Sequence, residues 1–142
     1  MNHTFTHLFL TALLSGLALA AGATHNRAGE ITYKQIDELT YEIIITTYTY
    51  TLSPADRNEL TVQWGDGTFS TAVRYREKYL PGNYKRNKYR ARHTFPGAGT
   101  YELVVQDPNR NDGVLNIPNS VRTMFAIKTV LQINPSLGFN NT

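Results

Sequence analysis

Polar and apolar residues alternate along most of the chain, interrupted mainly by short turn-forming clusters. Glu30-Ile31-Thr32-Tyr33-Lys34-Gln35-Ile36 repeats with a period of two, which predicts a half-buried strand. Residues 41–52 follow, with Ile43, Ile44 and Ile45 ahead of a Thr/Tyr-rich tail suited to a pleated surface. Ser53-Pro54-Ala55-Asp56 predicts a turn, because Pro presets φ and Ser and Asp bond nearby backbone. Leu60-Thr61-Val62-Gln63-Trp64 predicts a short strand with Leu60, Val62 and Trp64 on one side, ended by Gly65-Asp66-Gly67-Thr68. Residues 69–79 and 83–95 flank Leu80-Pro81-Gly82-Asn83 and read as a long hairpin, with Pro-Gly suited to a type II turn. Pro96-Gly97-Ala98-Gly99 forms the next corner, and residues 100–106 place Tyr101, Leu103 and Val105 on one face. A loop rich in Asn, Asp, Pro and Gly spans 107–120, with a short extended piece at Val114-Leu115. Residues 124–133 form the last strand before Pro135.

The expected fold is therefore all-β: about seven strands in an antiparallel sandwich, since each sheet has one apolar face that needs a partner. A hydrophobic content of 41% with 11% aromatics is enough for one core in a chain of 142 residues. The absence of cysteine excludes disulfides, thiol catalysis and cysteine-based metal centres.

Charge changes the picture at the N-terminus. Residues 1–23 carry no Lys, Arg, Asp or Glu, and 8–21 form an apolar run too short to span a bilayer as a helix. Small residues follow, so a secretory signal peptide over 1–23 is expected, with cleavage after Ala23. The expected organisation is a leader, a domain over 24–134 and a linker or truncated tail over 135–142. The product is then secreted or held at the cell surface, with no membrane span once the leader is removed.

Two segments carry a resemblance. Val62-Gln63-Trp64-Gly65-Asp66-Gly67-Thr68 resembles the W-G-D-G-T strand and turn of PKD (polycystic kidney disease repeat) domains. His93-Thr94-Phe95-Pro96-Gly97-Ala98-Gly99-Thr100-Tyr101 resembles the later H-T-aromatic and G-T-Y segment of the same family. Residues 24–31 and 109–116 look similar to the N-terminal modules of gliding-motility-associated bacterial surface proteins. The resemblance implies an immunoglobulin-like sandwich acting as a non-catalytic adhesion module, one unit of a larger surface protein with neighbouring domains. A type IX sorting domain usually ends such proteins and nothing after Ile133 matches one, so a fragment or a short stand-alone relative is expected. The alternative is a carbohydrate- or polyanion-binding accessory domain of a secreted hydrolase.

On this reading Trp64, Gly65, Asp66, Gly67, His93, Gly99 and Tyr101 specify fold. The glycines permit φ > 0, Asp66 accepts from turn amides, the Trp64 indole NH needs an acceptor, and Tyr101 resembles a tyrosine corner. No serine–histidine–acid arrangement or phosphate-cradling loop stands out, so no catalytic residue is assigned. No cofactor is expected, with calcium the one metal candidate: Asp107, Asn109, Asn111 and Asp112 partly echo a calcium loop, although Pro118 stands where a Glu is needed. A plain turn-rich connection explains the same residues.

The hairpin is the most informative polar feature. Arg74, Arg76, Lys78, Lys85, Arg86, Lys88, Arg90 and Arg92 are eight of the 14 basic residues, and Glu77 is the only acid among them. Period-two spacing puts Arg74, Arg76 and Lys78 on one face with Tyr75 and Tyr79 opposite, and Arg86, Lys88, Arg90 and Arg92 together on one face across the turn. Three readings stand: protection of an exposed sheet edge, binding of an acidic polysaccharide or other surface polyanion, and nucleic-acid binding, which export argues against. A cell-surface protein is the other partner class.

Overall fold

The computed structural model describes residues 26–53, 56–108, 110, 117–134 and 136. The expected leader, Val114-Leu115 and almost all of the expected tail lie outside these residues. Seven strands form: β1 (Asn26–Asp37), β2 (Thr40–Tyr50), β3 (Glu59–Gln63), β4 (Phe69–Leu80), β5 (Tyr84–Thr94), β6 (Gly99–Asp107) and β7 (Phe125–Ile133). A short 3-10 turn, Ser120–Arg122, which the sequence pattern does not announce, precedes β7.

All strand pairings are antiparallel and join into one sheet of order β1-β2-β5-β4-β3-β6-β7. The sheet curls until its ends nearly meet. Asn26 bridges Arg110, and a Cβ added to Gly29 of β1 would lie 3.0 Å from the Phe125 ring and 3.3 Å from Ile127, both on β7. The strand that turns the sheet is β4. It bonds β3 through residues 69–73 and β5 through residues 73–80, so only Val73 faces both partners.

Alternation decides what the curl encloses. Tyr41, Ile43 and Ile45 of β2, Tyr89 and Ala91 of β5, Leu60 and Val62 of β3, Leu103 and Val105 of β6, and Leu131 and Ile133 of β7 point inward. Trp64 sits fully buried among them, with its indole NH donating to Ser70 Oγ at 2.8 Å. Phe95 packs edge-on against it, ring centroids 6.0 Å apart. The hairpin turn has Gly82 at φ 78° and Asn83 at φ 61°, left-handed conformations that Gly adopts freely and Asn tolerates.

Candidate functional site

The β4–β5 hairpin has two faces of opposite character. A β-bulge between Arg74 and Arg76 creates the difference: Arg74 pairs with Tyr89, while Arg76 pairs with Lys88. The extra residue shifts the parity of β4. Arg74 therefore does not share a face with Arg76 and Lys78, which corrects the reading from period-two spacing. Tyr75 likewise parts from Tyr79: it lies on the outer face, under the Arg90 guanidinium at 4.3 Å, while Tyr79 pairs with Lys85.

On the outer face the pairings build rows across neighbouring strands. Lys78, Arg86 and Tyr48 form one row, Arg76, Lys88 and Thr46 the next, then Arg90 beside Ile44, then Arg92 beside Glu42. Rows two residues apart along a strand repeat about every 6.6–6.8 Å. Arg92 donates to Glu42 Oε2 at 2.8 Å, and Arg90 lies 3.8 Å from the same carboxylate oxygen. Among the described residues, no carboxylate oxygen comes within ion-pair distance of Arg76, Lys78, Arg86 or Lys88. Tyrosines stand among these cations. Tyr50 and Tyr84 meet at 5.5 Å between ring centroids, and Arg27 both donates to the Tyr84 hydroxyl and lies over its ring.

Strand β5 is not a sheet edge. It pairs with β2 over its whole length and with β4 over residues 84–90. Protection against edge-to-edge association explains Arg76 and Lys78 on the outer part of β4. It does not explain Arg86, Lys88 or Arg90, whose stretch of β5 is flanked by β2 and β4 on both sides.

Beneath the hairpin lies a compact ionic cluster that the sequence pattern does not reveal. Arg74 grips Asp56 with both terminal nitrogens, at 2.5 and 3.2 Å, and donates to Asn58 and Asn87. Lys85 Nζ lies 2.8 Å from Asp56 Oδ1 and 3.4 Å from Glu77 Oε2. The Arg74 hydrogen bond is the main force holding the Asp56 carboxyl below its ordinary pKa, against the opposing cost of burial. Two cations and two carboxylates leave the cluster neutral. The signal available in the sequence is parity: Lys85 and Asn87 occupy inward positions on a strand whose other inward residues are Tyr89, Ala91 and His93.

A third cluster surrounds the tryptophan. The His93 ring stacks on Trp64, and its Nε2 donates to Asp66 Oδ2 at 2.7 Å. The Thr68 amide and hydroxyl donate to Asp66 Oδ1 at 2.9 and 2.6 Å. Burial alone would raise the Asp66 carboxyl, but the hydrogen bonds from Thr68 and His93 prevail and hold its pKa at about 2. Thr68 and Asp66 both approach the same imidazole nitrogen. A relay of the serine-protease kind needs the acid on one ring nitrogen and the nucleophile on the other, so this geometry acts as a lock on the turn. Gly65 and Gly67 sit at φ 81° and 88°, and the Tyr101 hydroxyl donates to the Gly97 carbonyl at 2.9 Å beside Gly99.

Of the four calcium candidates, Asn109, Asn111 and Asp112 lie outside the described residues. Asp107 is buried and accepts from Arg57 Nε at 2.7 Å, so an arginine already engages its carboxylate. No group of three His, Asp or Glu able to hold a metal occurs among the described residues. No described helix is long and apolar enough to cross a membrane. No family model matches the sequence, and no match was found among curated proteins or among solved structures.

Proposed function

We propose that this chain is a PKD-like, immunoglobulin-type binding module whose outer hairpin face takes an acidic polysaccharide. The single observation behind the proposal is the row of cations on β5. Arg86, Lys88 and Arg90 occupy a central strand, are joined by Arg76 and Lys78, and include four charges without an acidic partner among the described residues. Holding like charges about 7 Å apart costs electrostatic energy that an extended polyanion relieves. Tyr48 supplies a ring beside those charges for a sugar to pack on, while Tyr75 and Tyr84 hold the Arg90 and Arg27 guanidinium groups against their own rings.

The fold part of the proposal draws on strand order. Cutting the sheet between β4 and β3 gives β1-β2-β5-β4 and β3-β6-β7, a four-plus-three division matching the immunoglobulin constant-type arrangement. The Trp64–Asp66 turn and the Tyr101 hydroxyl bond support the same family. A secreted or cell-surface location and a role in adhesion belong to the proposal and rest on residues 1–23 and the family resemblance. In this role the domain has no catalytic task and works as a rigid platform.

The test is retention on immobilised heparin. Changing Arg76, Lys78, Arg86 and Lys88 together to Gln should move elution to much lower salt while the melting temperature stays close to that of the parent. Elution at unchanged salt would overturn the proposal.

A further inference from the structure

Beside the turn of the hairpin, the outer face runs into a cleft of about 160 Å³ lined by Tyr50, Thr51, Ser53, Asp56, Tyr79 and Lys85. Its walls and floor differ in chemistry. Tyr79 is 67% exposed and forms a free aromatic wall, while Tyr50 forms a second and also meets Tyr84 on the outer face. Tyr50 therefore makes the cleft continuous with the cationic surface. The floor carries Asp56 and Lys85, whose side chain is only 9% exposed, with the Thr51 and Ser53 hydroxyl-bearing residues at the rim.

We infer that this cleft is a subsite for one neutral, hydroxyl-rich sugar ring of the acidic polysaccharide bound on the neighbouring face. The inference rests on the reading of that face as a polysaccharide surface and adds what the ligand must contain. Charge balance selects the neutral ring. Lys85 and Arg74 are already matched by Asp56 and Glu77, so the floor offers no net positive charge to a second anion. Of the about four lone-pair sites of the Asp56 carboxylate, Arg74 and Lys85 fill three, which leaves one on Oδ2 to accept a charge-assisted bond from a sugar hydroxyl. Size limits the occupant too: pockets for drug-sized ligands run to about 300–1,000 Å³, so this cleft suits a single ring. The ligand class is thus an acidic polysaccharide that also contains neutral sugar rings.

The experiment compares two probes on the intact chain: a hyaluronan hexasaccharide, with alternating acidic and neutral rings, and inorganic polyphosphate, which has charge and no sugar. Calorimetry or fluorescence anisotropy gives the affinities. Tyr79→Ala is expected to weaken hyaluronan at least fivefold and to leave polyphosphate within twofold, and Tyr79→Phe, which keeps the ring, should leave both within twofold. The exposed position of Tyr79 lets the variant fold, and a melting curve checks this. If Tyr79→Ala changes neither probe or both equally, while the quadruple Gln variant of the basic face loses both, the cleft assignment is overturned and the surface reading stands. If the parent protein binds neither probe, both are overturned.

Discussion

His93 lies flat against Trp64, ring centroids 4.6 Å apart and planes within 14°, while its Nε2 is bonded to Asp66 across the Gly-flanked turn. The stacking joins β5 to the end of β3 through side chains, at a level where β4 no longer bonds β5. One imidazole thus closes the seam between two parts of the sheet and fixes the loop carrying Asp66.

That arrangement predicts an acid-sensitive stability. The folded pKa of Asp66, about 2, lies below its ordinary 3.8. On acidification the unfolded chain therefore takes up the proton first. The stabilisation is complete above about pH 4 and is lost as pH falls from 4 toward 2. Asp56 is displaced in the same direction and adds to the effect. Asp66→Asn should cost about 1–2 kcal/mol at pH 7 and flatten the fall in stability below pH 4. Urea denaturation at several pH values measures this, and parallel curves for parent and variant would count against the lock.

Gly65 and Gly67 share a left-handed backbone but not a neighbourhood. A Cβ on Gly65 would lie 2.7 Å from the Glu102 carbonyl oxygen, whereas nothing lies within 4 Å of one on Gly67. Both alanine variants pay for positive φ, on the order of 1 kcal/mol. Gly65→Ala must also displace the β6 backbone, so it should lose at least about 2 kcal/mol more than Gly67→Ala. Thermal unfolding of the two variants gives the comparison, and equal losses would refute the close approach.

The strands and the turn glycines were legible because period-two alternation and Gly/Pro clusters are local signals. Leu60, Val62 and Trp64 show their common face in five residues of sequence. The bulge at Tyr75 carries no such mark: no Gly or Pro sits at the extra residue, so simple alternation misplaces Arg74. The interior position of β5 is equally silent, since a strand alternates in the same way at a sheet centre as at an edge. The Arg74–Asp56 pair spans 18 residues and exists only because β4 and the segment before β3 become neighbours. Lys85 and Asn87 on inward positions were the one local hint that a polar cluster lay beneath.

Arg74 and Arg76 are separated by a single residue and should behave as opposites. Arg74 has a side chain only 14% exposed and grips Asp56 in two places. Arg74→Gln leaves Asp56 and Glu77 with Lys85 alone and should destabilise by about 1–3 kcal/mol, less than a fully buried pair because Asp56 is half exposed. Arg76→Gln removes an exposed charge with no carboxylate partner among the described residues and should stay within about 0.5 kcal/mol of the parent. Chemical denaturation of both variants decides the matter. Similar losses would mean that the bulge does not divide their roles.

The proposed ligand face also has a salt signature that separates paired from unpaired charges. Binding of cationic residues to a linear polyanion releases counterions, with a log–log salt slope of about 0.7–0.9 per neutralised charge on nucleic-acid polyelectrolytes. Among the described residues, Arg76, Lys78, Arg86 and Lys88 have no carboxylate to leave, so each contributes its full charge to an incoming chain. Arg92 is already bonded to Glu42 at 2.8 Å, and an anion must compete with that carboxylate. Arg92→Gln should therefore change heparin affinity at 150 mM salt by less than twofold and leave the slope nearly unaltered. Lys88→Gln, two rows away on the same strand, should weaken binding severalfold and reduce the slope by about one charge. Affinity measured across a salt series gives both quantities, and equal effects of the two substitutions would show that the ion pair with Glu42 does not shield Arg92.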